Sequence, residues 1–571
     1  MKTRYIVPLL LFCLFACMAC EDDKTEMPRL FRPSFIASSC FAEDNTITLA
    51  WRTSGEATSY TVELSQDATF QSEKLETQTV EHGKCVFTNL RYETKFYARV
   101  RANNESLAIT SNWTEMGSSI STLSRTIPKI LYAVEGSRIS ETSVEIKWVV
   151  SEKNPVDGLA IWEEGTTEER QISLENASAG QYTITGLTPR TTYYVALTNS
   201  AAPEGAEKYN QQRFTTAGMP ADAVVVEDGV DLMDKIKAGM TDASKQALVF
   251  QLKNGVDYYL TAGGEVAAKT GDIKLTKSIA LLANPGERPT LYIREGCFNV
   301  KPESGNMPDI EYFVVDNVNI KETWTDSKPS KGSKTRLLNI GKHDAGTDFT
   351  IDRFEITNSD IVLPSAVLMM SDASEGVTTI NHIRIDNCLV SGINTSAVTK
   401  QFGFIHAIDK GSNVWNDVSV TNSTFYEFYI SPGVFGAPTA NVPIAAGNKV
   451  VISNCTFYNW GSNKDGKNTY RAVGNFSKLT APLNLSVNNC VFGSSESKVL
   501  DAGGINLDSK GNYCTSDFEK MSDAGLTLIS LDTDDASLFR NIEENDFTVI
   551  DAESVIYKSE YGDPRWITVL D

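Results

Sequence analysis

Positive charge is in short supply. Lysine and arginine total 52 against 73 aspartates and glutamates, a net charge of −21 over 571 residues. A chain with that balance offers polyanions no electrostatic footprint, so no nucleic-acid partner is expected. Long apolar runs are also missing: beyond the extreme N-terminus nothing is long and apolar enough to span a bilayer as a helix. Ten cysteines occur, but beyond Cys17 and Cys20 at the N-terminus none stand at CxxC spacing, so the two such pairs of a zinc site are absent from the sequence. No cofactor is expected; calcium, which needs several oxygens, finds no supporting cluster of carboxylates.

The apolar stretch that does exist is at the start. Lys2 and Arg4 precede an apolar core from Ile6 to Phe15, the layout of a signal peptide over residues 1–19. It ends Phe15-Ala16-Cys17-Met18-Ala19-Cys20. A small residue followed by Cys resembles a bacterial lipobox, which makes Cys20 the expected lipidated N-terminus and Cys17 the competing site. Glu21-Asp22-Asp23 follow, and resemble the acidic signal that sends lipoproteins of some Gram-negative gut anaerobes to the outer leaflet. Residues 20–30 then read as a lipid-anchored tether, since several acyl chains hold stably to a membrane.

The C-terminal half is organised by a recurring hexapeptide: β-branched, any, Asn, small, any, apolar. Val315-Asp316-Asn317-Val318-Asn319-Ile320 is one copy, and Ile452-Ser453-Asn454-Cys455-Thr456-Phe457 another. Its asparagines are Asn317, Asn358, Asn387, Asn422, Asn454 and Asn489. Positions 1 and 3 share one strand face, and positions 4 and 6 seek the same interior. That parity break requires a bend at the Asn, the non-Gly residue best suited to a left-handed backbone. Asparagines stacked turn on turn can form a ladder. A parallel β-helix satisfies all of this, with loops of variable length projecting between fixed bends. Cys388, Cys455 and Cys490 fill the small position and read as buried apolar groups.

Ahead of the repeats, short alternating strands appear twice. Residues 31–124 hold Ile47 to Trp51, Tyr60 to Leu64 and Phe96 to Val100; residues 126–217 hold Val144 to Trp148 and Tyr193 to Leu197. Each copy has an early Trp (Trp51, Trp148), then a Leu-x-x-x-Thr-x-aromatic corner, Leu90 to Phe96 and Leu187 to Tyr193. Both resemble fibronectin type III domains, although Phe96 lacks the corner hydroxyl. Cys40 and Cys85 fall in one domain, and whether they pair is open at this stage. Residues 222–571 form the β-helix and its tail. Leu232, Ile236 and Met240 recur at helical spacing, predicting a capping helix over about residues 230–240.

The expected fold is therefore all-β: two fibronectin-III-like sandwiches, then a right-handed parallel β-helix with an N-terminal capping helix. This plan, with Gly562-Asp563-Pro564-Arg565-Trp566 near the end, resembles an uncharacterised family of cell-surface lipoproteins from polysaccharide-utilisation loci, whose coil is pectate-lyase-like. The resemblance implies location and fold more than chemistry. It places chemistry on the strand before the one entering the Asn bend, phased here as Phe298 to Lys301, Arg336 to Gly341, Val367 to Ser371, Gly403 to Ile408, Val442 to Ala446 and Arg471 to Phe476. None of these contains Asp or Glu, whereas a general base or a calcium site requires such groups.

No catalytic residue is therefore expected. The alternative is a paired-carboxylate site of Asp372 and Asp409 with His406 and Lys410 close by, against which stands the turn preference of Asp. Arg353, His382, Asp417 and Lys449, at matched positions on successive turns, read as a charge ladder with Glu355 and Arg384. Glycan binding is assigned to loop aromatics and cations: Trp460, Tyr458, Tyr470, Tyr426, Tyr429, Arg471 and Lys464. The expected function is an outer-membrane, surface-exposed lipoprotein that captures plant cell-wall or pectin-type polysaccharide for uptake without cleaving it. Its expected partners are the glycan, the membrane through its lipid, and outer-membrane uptake proteins. The alternatives are a polysaccharide lyase or glycoside hydrolase acting on pectin-like glycans, and a structural or adhesive surface protein.

Overall fold

A computed structural model describes residues 29–570, apart from 262–269, 295, 323–335, 364–366, 394–401, 408–411, 431–432, 437–448, 462–469, 477–482, 502, 504 and 520–525. The chain divides into two compact units, Met1–Thr126 with Asn199–Glu207, and Ile127–Thr198 with Lys208–Asp571.

The first unit holds two antiparallel sheets built on Thr46–Arg52 and on Lys95–Asn104. Alternation decides which side chains go inside: along Lys95–Asn104 every second residue is buried. Trp51, Tyr60, Phe87 and Phe96 share one core. Cys40 and Cys85 are free thiols rather than a disulfide. The second unit opens with another antiparallel pair of sheets around Trp148 and Tyr193. Here the corner hydroxyl is present. Tyr193 accepts from the Thr188 amide at 3.0 Å and donates to Glu163 at 3.1 Å.

From Val224 to Ser530 the second unit is a stack of parallel strands in three sheets of ten, ten and eight, the connectivity that fits a parallel β-helix. The chain visits the sheets in rotation. An entry strand such as Asp348–Thr357 runs into the Asn bend, an exit strand such as Asp360–Val362 leaves it, and a third strand such as Val367–Ser371 closes the turn. Each pairs in register with its equivalent one turn on; Ile356, for example, pairs with Ile385. Inward positions of the exit sheet make continuous columns. Phe425, Phe457 and Phe492 stack face to face with centroids 5.1 Å apart, each burial contributing about 1.5–3 kcal/mol.

One strand differs from its expected position. The third-sheet strand between Ile405–Ala407 and Arg471–Asn475 is Phe435–Gly436; Val442 to Ala446 lies outside the described residues. A two-residue strand leaves no alternation to read. The first turn is covered by helix α1, Leu232–Thr241, whose N-cap Asp231 accepts from the Asp234 amide at 3.1 Å. Leu232, Met233, Ile236 and Met240 face the coil. A Cβ at Gly239 would come within 2.6 Å of Leu248, which is how close the helix lies.

Candidate functional site

The bends come first, because they set where side chains can point. All six asparagines have positive φ, between 49° and 59°. Their side chains do not form one unbroken ladder. Asn387 donates to Asn358 at 2.8 Å and Asn454 to Asn422 at 3.3 Å. Asn358 and Asn422, however, donate to Asp316 and Asp386, each at 2.8 Å. Those aspartates occupy position 2 of the preceding turn and also accept from Thr357 and Thr421 at 2.7 Å. Asp386 is buried. Burial pushes its carboxyl up, but Arg213 at 2.9 Å and Arg384 at 3.0 Å outweigh that and hold it below the ordinary range.

The tail lies over the C-terminal half of the exit sheet. Leu538, Phe539, Phe547, Val549 and Ile556 form a separate small core on Tyr426 and Val491, with Leu389 and Tyr458 at its edge. Gly562 to Trp566 pins it down. The Gly562 amide donates to the Asn489 carbonyl at 2.8 Å. Asp563, 1% exposed, accepts from the Thr424 hydroxyl at 2.7 Å, and its amide donates to Thr456 at 3.0 Å. Arg565 reaches Asn387 at 3.0 Å, and the Trp566 indole donates to Thr424 at 2.7 Å. We call residues 531–570 the clasp.

This arrangement corrects the glycan-binding assignment at Trp460, Tyr426, Tyr458 and Arg471. Trp460 is fully buried between Phe492 and Phe518, and its indole donates to the Lys498 carbonyl at 2.9 Å. Tyr426 and Tyr458 lie under Phe547 of the clasp. Arg471 is buried and paired with Asp501. Tyr470 packs on the coil core against Gly461. The Tyr429 hydroxyl accepts from Asn459 at 3.0 Å. The rings seal the coil because burial of large apolar area outweighs their exposure on loops. Lys464, Asp409, Lys410 and Cys20 lie outside the described residues. Asp372 closes a local turn, accepting from the Ser374 amide at 3.1 Å, and His406 is buried in the third sheet, accepting from the Gly403 amide at 3.1 Å. Arg353, His382, Asp417 and Lys449 occupy one register column, with His382 3.6 Å from Asp417. Arg384 turns from its register partner Glu355 towards Asp386 and Glu164. Among the described residues no group of three His, Cys, Asp or Glu side chains is placed to hold a metal ion.

Residues 450–566 match a domain of unknown function, DUF5123. The match covers about a fifth of the chain and ends on Trp566 of the clasp. No curated protein matches. Among solved structures the chain is similar to the FN1–FN3 domains of chicken CNTN1, at 15% identity over 34% of this chain and 68% of that one, TM-score 0.15. It is also similar to a two-domain fibronectin type III segment of chicken tenascin, at 15% identity over 34% and 100%, TM-score 0.19.

The N-terminal half of the same outward face lies beyond the clasp, whose core does not reach it among the described residues. One register column there reads Tyr259, Tyr292, Lys321, Val362, Ser391, Tyr426, Tyr458. The clasp takes the last two. Tyr259 and Tyr292 remain half-exposed, with ring centroids 4.8 Å apart and planes within 10°. Burial, then Asp257, raises the Tyr292 hydroxyl above its ordinary range. Lys321 is the next rung. The strip is a flat aromatic platform with a cation beside it. These tyrosines precede the first hexapeptide, so the repeat that marks the later turns does not point to them. Their matched alternation in Asp257-Tyr258-Tyr259 and Leu291-Tyr292-Ile293 is the signal that would have found them.

Proposed function

We propose that this is a lipid-anchored protein of the outer-membrane surface that binds polysaccharide on the exit sheet and does not cleave it. In full, the proposed architecture is two fibronectin-III-like sandwiches followed by a right-handed parallel β-helix. The observation that carries the reading is the stacked Tyr259–Tyr292 pair on the part of the sheet face beyond the clasp, with Lys321 on the next rung. Stacked rings present an apolar face, and tyrosine adds a hydroxyl at the edge, the mixture a sugar ring calls for. Rungs repeat at about 4.8 Å, so the strip suits an extended chain laid along the coil axis. The lipobox-like Cys20 supports the location, and the proposed partners are plant-type glycan and outer-membrane uptake proteins.

The test is affinity electrophoresis of wild type and Tyr292→Ala on a panel of plant polysaccharides. Retardation by at least one glycan, reduced in the variant at unchanged melting temperature, is the expected result. No retardation on any glycan would favour an adhesive or structural role. Release of unsaturated or reducing ends from the same panel would reject the non-catalytic reading in favour of a lyase or hydrolase.

A further inference from the structure

Within the second unit, its antiparallel sandwich and the coil enclose an open cleft of about 430 Å³. Four guanidinium groups line it: Arg190, Arg213, Arg288 and Arg384. Three of them are committed. Arg213 and Arg384 share Asp386 and Glu164, and Arg288 holds Asp360 at 2.7 Å. Arg190 is exposed, and among the described residues it has no carboxylate within ion-pairing distance. Its acceptors are the Gly218 carbonyl at 3.4 Å and the Met219 sulfur at 3.8 Å, both on one terminal nitrogen. On the coil wall, Asp316 spends only Oδ1 on protein donors, the Thr357 hydroxyl and the Asn358 amide.

Among the described residues the cleft thus presents one uncommitted planar cation, with uncommitted carboxylate oxygens on Asp316 and, beyond its Oε2 contact to Arg353 at 3.5 Å, on Glu355. A neutral sugar would leave the guanidinium unanswered. A bare anion would leave the carboxylate facing like charge. A ligand carrying both an oxyanion and hydroxyl groups answers both: the oxyanion takes the fork of Arg190, and a hydroxyl donates to Asp316 Oδ2. We infer that this cleft is a second binding site, distinct from the tyrosine strip, for an acidic saccharide whose carboxylate or sulfate is anchored by Arg190.

Titration calorimetry on the purified full chain tests this. The probes are a galacturonic acid trimer, its carboxyl-reduced counterpart, a sulfated galactose trimer and inorganic sulfate. The acid trimer should bind at least about tenfold more tightly than the reduced one, the scale of a charge-assisted contact. Arg190→Ala should abolish that preference, and Arg190→Lys should retain part of it. Asp316→Asn should weaken the trimer but not inorganic sulfate. Tyr292→Ala should leave the preference intact, which separates this site from the strip. A stronger response to the sulfated trimer than to the acid trimer would assign the oxyanion as sulfate. Equal binding of acid and reduced trimers, or an Arg190→Ala protein that melts and discriminates like wild type, would overturn the proposal.

Discussion

At the scale of single residues, the same asparagine does two jobs, and they can be separated. Asn422 sits at φ 49° and its amide bonds Asp386. Asn422→Gly keeps the backbone and loses the bonds, while Asn422→Ala loses both. We expect about 1–2 kcal/mol lost for the first and about 2–4 kcal/mol for the second, by urea unfolding. Asp563 supplies a pH signature. Burial pushes its carboxyl up to about 6 against the pull of Arg565. The folded chain therefore holds this proton more tightly than the unfolded chain, whose value is near 3.8. Its contribution is present at acid pH and fades as pH rises from about 4 to 6, by at most about 3 kcal/mol. Asp535, also pushed up to about 6 by burial, acts in the same direction. Asp563→Asn cannot titrate, so its unfolding free energy should fall less than that of wild type between pH 4 and 6.5. Parallel curves for the two proteins would refute the assignment.

At the scale of elements, the clasp is the part with the most specific chemistry. Gly562 has φ 84°, and a Cβ there would meet the Thr456 hydroxyl at 2.8 Å. Gly562→Ala should loosen residues 539–567 while the coil stays folded. Hydrogen exchange would show this as lost protection at Phe547 and Val549 with Phe425 and Phe457 unchanged; uniform loss would mean that clasp and coil are one cooperative unit. The stacked parallel strands were legible in the sequence because each turn repeats a local pattern: β-branched residue, Asn, small residue, apolar residue. The clasp was not, because Asp563 meets Thr424 and Thr456 more than a hundred residues away and nothing local announces it. Trp460 misled for a related reason. It follows a bend and precedes a long loop, so it reads as loop-borne, yet the Phe457–Phe492 column draws it inside. Phe435–Gly436 is too short to phase, which is why the strand was expected downstream.

At the scale of the whole molecule, two features bear on where the protein works. The acidic balance of −21 disfavours anionic surfaces, so the proposed membrane attachment needs the proposed lipid at Cys20. Cys20→Ser should abolish incorporation of labelled palmitate and release the protein to the soluble fraction, whereas Cys17→Ser should leave both unchanged. The reverse pattern would move the lipidation site to Cys17. The other feature is the division of one sheet face into a half covered by the clasp and a half bearing stacked tyrosines. The most direct test of the binding reading is the affinity of wild type, Tyr259→Ala and Tyr292→Ala for a retarding glycan. Stacking contacts of this kind are worth about 0.5–1.5 kcal/mol each, so each variant should bind roughly 2–12-fold more weakly at unchanged melting temperature. Undiminished binding in both variants would contradict the account.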